Sequence, residues 1–233
     1  MTFSIAARDP ETGAFGLAVT TSGLAVGSRC PHARAGVGAV MSQHRTDPRL
    51  GMLGLDLLAR GMSAEETLAA LVAGRADAAW REIAVVDNAG RTAAFHGSEI
   101  YSLHGNASRD GAIALGNILA DEAVPGAMLD GFFCTMADPL ELRLVTALEA
   151  GLAAGGELGT LQTAALLIVR DDPFPWMDLR IDRSQAPLED LRALAMAYAP
   201  AADGIRQTAV APETVPNNAE MVRRHAALIA ARS

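Results

Sequence analysis

Thr2 is the residue of this sequence whose type and place could do chemistry most directly. A threonine behind an initiator methionine is small enough for cytosolic processing to remove Met1. Residue 2 would then carry a hydroxyl and a free α-amine. The ordinary pKa of that amine, about 7.7–8.0, suits a general base near neutrality. A threonine with its own amine is a nucleophile–base pair equivalent in role to a serine-type triad. A retained Met1 would acylate the amine and remove the base. Met-Thr openings are common and mostly without chemical meaning, so the strand that Thr2 opens gives it its weight. Thr2-Phe-Ser-Ile-Ala-Ala-Arg8 alternates apolar residues at Phe3, Ile5 and Ala7. Asp9-Pro-Glu-Thr-Gly13 makes a turn, and Phe15, Leu17 and Val19 alternate again. Period two around a Pro/Gly turn is a β-hairpin, with Thr2 at the start of its first strand.

The hairpin selects further candidates. Thr21 and Ser22 end the second strand, where a partner of Thr2 must sit. Ser42, Gln43 and His44 end a third strand over residues 36–43 and can reach the same rim, although a polar strand exit reads the same way. Arg29 lies in a loop over residues 23–31 with Ser28 and Cys30. Asn117 comes after Gly116 at the end of a strand. Its amide could donate to an oxyanion, which needs a fixed donor about 3 Å away, or it could cap the next turn. Arg8 shares a strand face with Thr2 and Ser4 but lies roughly 20 Å further along. It reads as an exposed strand-end charge. Asp9 reads as a turn residue. His32 and His44 lack metal-ligand spacing and read as loop histidines. Asp178 and Asp182 alternate with Arg180 as a solvated face or a local ion pair.

Bulk properties exclude several classes. The 233 residues carry 27 acidic and 19 basic side chains, a net charge of −8, with 50% hydrophobic residues. That length and composition suit one large domain, with a tail. The acidic balance weighs against non-specific binding to nucleic acid or an anionic membrane. No apolar run reaches the roughly eighteen residues of a membrane helix, and no charged-then-apolar leader is present, so the cytoplasm is expected. Cys30 and Cys134 lack the spacing of a disulfide framework or a zinc site. Every basic residue is arginine. Schiff-base chemistry, a Walker lysine and Ser–Lys or Thr–Lys pairs are therefore excluded.

The candidates depend on a series of helices and strands for their positions. Leu50, Leu53, Leu57 and Leu58 form one helical face with Gly61 as a stop. Ser63-Ala-Glu-Glu66 is a capping box that opens a second helix. Strands resume over 82–87 and 91–96 around Asn88-Ala-Gly90, and again over 112–117. Two helices come next, over 124–136 and from Pro139, the latter capped by Asp138. Residues 163–169 lack polar alternation and read as a strand buried on both faces, with 177–182 as its partner. A helix over 187–198 closes the core. Residues 200–216 read as an extended linker and 218–232 as a terminal helix. Blocks of hairpins separated by helix pairs indicate an α+β fold of layers.

The opening Thr2-Phe-Ser-Ile-Ala-Ala-Arg-Asp-Pro-Glu-Thr-Gly13, with Ala35-Gly-Val-Gly-Ala-Val40 and Gly116-Asn117, resembles a bacterial family of unknown function placed in the N-terminal nucleophile (Ntn) hydrolase superfamily. The resemblance covers residues 1–198. It implies a four-layer αββα sandwich of two antiparallel sheets, with Thr2 at the nucleophile position. Many Ntn enzymes keep a Lys or Arg beneath the nucleophile, and here only arginine can serve, with Arg8 and Arg29 as candidates. The lack of lysine departs from the proteasome-like pattern and weighs against that peptidase chemistry. Branches acting on small N-acyl substrates also use arginine. A fold does not name a reaction.

The sequence thus leads to an Ntn-like domain over residues 1–199 and a linker with a C-terminal helix over 200–233. Thr2 would attack a small amide-type C–N bond, its amine relaying the proton. Backbone amides and Asn117 would hold the oxyanion. Thr21, Ser22, Arg29, Ser42, Gln43 and His44 would line the substrate. No metal or organic cofactor is implied. The expected partners are a small-molecule substrate and further copies of the chain, with neither nucleic acid nor membrane. The alternative is a catalytically silent module of the same fold that binds a small ligand or self-associates. A metal-dependent hydrolase using His32, His44 and acidic residues comes third.

Overall fold

Alternation at the amino terminus produces the expected hairpin. In the computed structural model, which describes residues 1–216 and Arg223, β1 (Thr2–Arg8) and β2 (Phe15–Thr21) pair antiparallel, from Phe3 opposite Thr20 to Arg8 opposite Phe15. The turn is built by Asp9. Its Oδ1 accepts from the backbone N–H of Glu11 at 3.1 Å, and from the N–H and hydroxyl of Thr12 at 2.9 and 3.0 Å. Gly13 completes it at φ +73°, a conformation that favours glycine. The other Asp9 oxygen takes Nη1 of the buried Arg143 at 3.0 Å. Asp9 is the turn residue it reads as.

The described residues form ten strands in two antiparallel sheets. They are β1, β2, β3 (Pro31–Arg34), β4 (Gly38–His44), β5 (Arg81–Asp87), β6 (Thr92–His96), β7 (His104–Arg109), β8 (Ala112–Asn117), β9 (Thr163–Val169) and β10 (Met177–Ile181). One sheet runs β10-β9-β2-β1-β8-β7 and the other β3-β4-β5-β6. Two of these strands, β3 and β7, are absent from the sequence reading. Both are sheet edges, and β7 is a largely exposed run of polar residues. An edge strand is specified by backbone hydrogen bonds to one neighbour, so it shows little hydrophobic alternation.

Helices cover both outer faces. On the four-stranded sheet lie α1 (Pro48–Ala59), capped by Asp47, and α2 (Ala64–Val72). The capping box of α2 is complete: Ser63 Oγ accepts from the Glu66 N–H at 3.2 Å, and Glu66 accepts from the Ser63 N–H at 2.8 Å. On the six-stranded sheet lie α3 (Val124–Cys134) and α4 (Leu140–Ala153). Pro139, not Asp138, is the N-cap of α4, and no side chain caps it. The helix therefore starts one residue later than a cap at Asp138 would place it. The result is an α+β sandwich in four layers, αββα. Between the sheets Ala6, Leu17, Val19, Met41, Ala84, Val86, Ile113 and Leu115 are buried together. Val40, Leu50, Leu58, Leu71, Ile83 and Val85 pack the four-stranded sheet against its helices. Because side chains alternate along a strand, Thr2 and Ser4 share the inter-sheet face with Ala6, and Phe3 and Ile5 face the helices.

The last helix corrects an expectation. α5 (Pro187–Val210) runs through Pro200, where the sequence reading starts an extended linker. A proline inside a helix removes one hydrogen bond and costs about 3 kcal/mol. Here it is flanked by Ala195, Ala197, Ala199, Ala201 and Ala202, and alanine is the strongest helix former. Residues 212–214 form a further short helical turn. The chain divides into two compact units, Met1–Met196 and Ala197–Ser233. The helix expected over 218–232 lies, but for Arg223, outside the described residues.

Candidate functional site

One end of the inter-sheet layer is polar on both sides. On the six-stranded sheet, Thr21 pairs with Thr163, Thr2 with Asn117, and Asn117 with His104. Thr21 flanks Thr2 from the other side, their Oγ1 atoms 3.4 Å apart. Facing them on the other sheet, Gln43 pairs with Glu82 and Glu82 with His96. The alternation that places Met41, Ala84 and Val86 in the core also aims Gln43, Glu82 and His96 at the six-stranded sheet.

Side chains connect the two layers. Ser4 Oγ donates to Gln43 Oε1 at 2.8 Å. Gln43 Nε2 and Asn117 Nδ2 both donate to Glu82 Oε2, at 2.5 and 2.7 Å. His96 Nδ1 meets Glu82 Oε1 at 2.9 Å, and its Nε2 meets Asn106 Oδ1 at 2.9 Å. Ser4, Gln43, Glu82 and Asn117 are fully buried. Burial disfavours a charged imidazole at His96. The hydrogen bond and charge of Glu82 outweigh it, and the His96 pKa is raised.

The surroundings of Thr2 are equally constrained. The hydroxyls of Thr2 and Thr21 both donate to the carbonyl oxygen of Met1. Glu157, on the loop between α4 and β9, accepts from the Ser22 N–H at 2.8 Å through Oε1. Burial raises the Glu157 pKa, against the pull of its Ser22 hydrogen bonds and the charge of the chain's terminal amine. Two acceptors here are buried without a partner among the described residues: Asn117 Oδ1 and Glu157 Oε2.

The structure thus brings together Thr2, Thr21, Asn117 and Gln43 from the sequence candidates, with Ser22 at their edge. Ser42 stands apart, since it lies on the opposite face of β4 and its Oγ accepts from the N–H of Asp47 at 3.3 Å, at the start of α1. His44, at φ +64°, has Nδ1 2.9 Å from the Trp80 carbonyl oxygen and meets Tyr101 edge-on at 6.1 Å. Arg29 donates to the carbonyls of Leu24 and Ala25 at 2.5 and 2.9 Å, holding the loop beside Thr21. His32 packs on α1, where a Cβ at Gly51 would lie 2.1 Å from its Nδ1, and burial lowers its pKa. Among the described residues no three His, Cys, Asp or Glu side chains could hold a metal ion together.

Glu82, His96, Asn106, Ser4 and Glu157 escape the sequence reading. A signal for Glu82 was available: in Glu82-Ile-Ala-Val-Val-Asp87 it falls in phase with Ala84 and Val86, so the strand that buries them buries a carboxylate. His96 is in phase with Ala94 in the same way. Glu157, in Gly155-Gly156-Glu157, carries no comparable local pattern.

Comparison with known proteins gives the chain a family. No curated protein is similar enough to count as a match. Among solved structures, the crystal structure of protein SPO2555 from Silicibacter pomeroyi, a DUF1028 chain, is 34% identical. The alignment covers 85% of this chain and 86% of that one, with a TM-score of 0.80. Anbu (ancestral β-subunit) from Yersinia bercovieri aligns at 12% identity over 92% of this chain and 98% of its own, with a TM-score of 0.42. The Gly-1 mutant of Anbu from Hyphomicrobium sp. strain MC1 aligns at 13% over 93% and 99%, with a TM-score of 0.40. Residues 2–191 match the family model described as a family of unknown function, DUF1028, and the chain belongs to that family.

Proposed function

We propose that this chain is an N-terminal nucleophile hydrolase of small amide-type C–N bonds, with Thr2 as nucleophile after loss of Met1. One observation carries the reading. The Thr2 hydroxyl stands at the polar end of an otherwise apolar inter-sheet layer, 3.4 Å from the Thr21 hydroxyl, with the partnerless Asn117 Oδ1 on the neighbouring strand β8. An unpaired polar atom in a protein interior is rare enough to need a reason, and a catalytic role is one. The Met1 carbonyl rests against the Thr2 hydroxyl, so an acyl group carried on Oγ1 would take the same corner once Met1 has left.

In this mechanism the Thr2 oxygen attacks the substrate carbonyl carbon as its proton passes to the α-amine, directly or through a water. The C–N bond breaks and the proton leaves with the departing amine. Water then cleaves the Oγ1 ester, releasing the acid and restoring the threonine. Backbone amides and the second Nδ2 hydrogen of Asn117 are the donors available to the oxyanion. Thr21, Ser22 and Gln43 line the approach, with Arg29 behind the loop. A cytoplasmic setting and self-association belong to the same proposal. No described helix is long and apolar enough to cross a membrane.

A second reading comes from the Met1 contact. With Met1 attached, the Thr2 nitrogen is an amide without a basic lone pair, and the fold would serve as a silent ligand-binding or self-associating module. Intact mass of the protein purified from its native cells separates the two. Loss of one Met, with turnover of an N-acyl or amide panel that Thr2→Ala abolishes, supports the enzyme. Retained Met1 with no turnover supports the module.

A further inference from the structure

Glu82 decides how its neighbours are turned. An ionised carboxylate only accepts hydrogen bonds, so the two amides that meet Glu82 Oε2 must do so through nitrogen. Gln43 then turns its Oε1 to Ser4, whose hydroxyl donates to it. Asn117 likewise must turn Oδ1 away from Glu82, yet that oxygen is buried and has no partner among the described residues. It is the single unpaired oxygen of a network in which Gln43, Glu82 and Asn106 use theirs. Thr2 is the residue directly across from Asn117 in the β1–β8 register, on the same face. Cβ atoms of such pairs lie about 4.5–5.5 Å apart. While Met1 is attached, the Thr2 nitrogen has one N–H. Loss of Met1 makes it an amine with two or three.

We propose that Glu82, held by His96, is a positioning residue that clamps the Asn117 amide so that Asn117 Oδ1 accepts a hydrogen bond from the α-amine of processed Thr2. The inference rests on the reading of Thr2 as a free amino-terminal nucleophile. A neutral amine spends one N–H on Oδ1 and keeps its lone pair for the hydroxyl proton. His96 bridges Glu82 and Asn106 through both ring nitrogens, which keeps the carboxylate in place. The charged and titratable groups around His96 are Glu82 on β5 and His104 on β7, whose ring centroid is 5.2 Å away; β4 and β8 present the neutral Gln43 and Asn117. Around the terminus they are Glu157, Arg29 beside Thr21, and Cys30.

The sequence offers a clean test. With no lysine, the α-amine is the chain's one primary amine. Trace acetylation by acetic anhydride, followed by hydroxylamine to strip acetyl groups from hydroxyls and from the exposed Tyr101 and Cys134, with intact mass read across a pH series, therefore titrates that amine. The wild type is compared with Asn117→Ala and Glu82→Gln, each confirmed folded by circular dichroism and confirmed by mass to lack Met1. Removing the acceptor destabilises the ammonium, so Asn117→Ala is expected to lower the amine pKa by about one unit. Asn117→Ala changes no charge, which separates lost hydrogen bonding from lost attraction to Glu82. Glu82→Gln is expected to lower it in the same direction, by lost attraction as well as by a loosened amide, so Asn117→Leu, which also changes no charge, decides the matter if Asn117→Ala fails to fold. An amine pKa unchanged in the folded variant overturns the clamp and leaves the Thr2 reading standing. A wild-type mass that retains Met1 overturns the Thr2 reading, and the clamp with it.

Discussion

Replacing Glu82 by alanine removes one acceptor from three donors at once. Gln43 Nε2, Asn117 Nδ2 and His96 Nδ1 all end on its two oxygens, at 2.5, 2.7 and 2.9 Å, and Glu82 has no exposed surface. Water cannot replace the carboxylate without entering a closed layer. Breaking a buried, hydrogen-bonded charge pair by deleting one partner costs about 3–5 kcal/mol. For a chain of this size each kcal/mol moves the melting temperature by about 2–4 °C, so Glu82→Ala is expected to melt roughly 6–20 °C below wild type. Glu82→Gln keeps one oxygen and the side-chain volume, and is expected to lose about 1–2 kcal/mol as charge-assisted bonds become neutral ones. Urea denaturation at pH 7 of both variants, with equal slopes against denaturant, measures the differences. His96 provides an independent reading by NMR. Without the carboxylate only the weaker Asn106 hydrogen bond opposes the effect of burial on the imidazole, so its titration must move down from its raised position. A Glu82→Ala loss below about 1 kcal/mol, or a His96 titration that stays where it was, would refute this account of the network.

The His96 interaction also sets a pH dependence. Its folded pKa is raised, so its stabilising effect is fully present below the unfolded value of about 6.5 and is lost as pH rises through the folded value. The stability gap between wild type and His96→Gln should therefore shrink as pH rises above neutrality, as melting curves at several pH values would register. Asp9 runs the other way. Burial opposes its ionisation, but hydrogen bonds from Thr12 and Glu11 and the Arg143 charge leave its pKa lowered. Its contribution is present above about 3.9 and is lost as pH falls through the folded value. Asp9→Asn should flatten the acid limb of an unfolding titration. At Gly97 an added Cβ would lie 2.2 Å from the Ala79 carbonyl oxygen, a backbone atom with little room to yield. Gly97→Ala is expected to cost about 2–3 kcal/mol, against near-neutral behaviour at Gly126, where nothing lies within 4 Å. Equal melting temperatures for the two would contradict the packing argument.

What the sequence by itself determined is local. The β1–β2 hairpin, its Asp9 turn, the α2 capping box, and the strands β4, β5, β6, β8, β9 and β10 come from apolar patterning (for β9 an unbroken apolar run), caps and turn residues within about ten positions of one another. The same logic placed Thr2, Thr21 and Asn117 at strand ends, where the fold joins them. It could not decide which polar residues those ends would meet. Gln43 and Ser42 are neighbours in sequence with similar chemistry, yet the pleat sends one to Glu82 and the other to the start of α1. Glu82 and Asn117 are 35 positions apart, and Glu157 and Ser22 are 135 apart. Only the stacking of two sheets and the loop after α4 bring them together. The edges β3 and β7 were invisible because hydrogen bonds to a neighbour, not buried side chains, hold them. Pro200 misled because a strong local breaker sits in an alanine-rich stretch that keeps the helix. Strand phase marks Glu82 and His96 as inward-facing, but only tertiary structure joined them to Asn117 and left its oxygen unpaired, because which groups meet in the interior is a property of the packed chain.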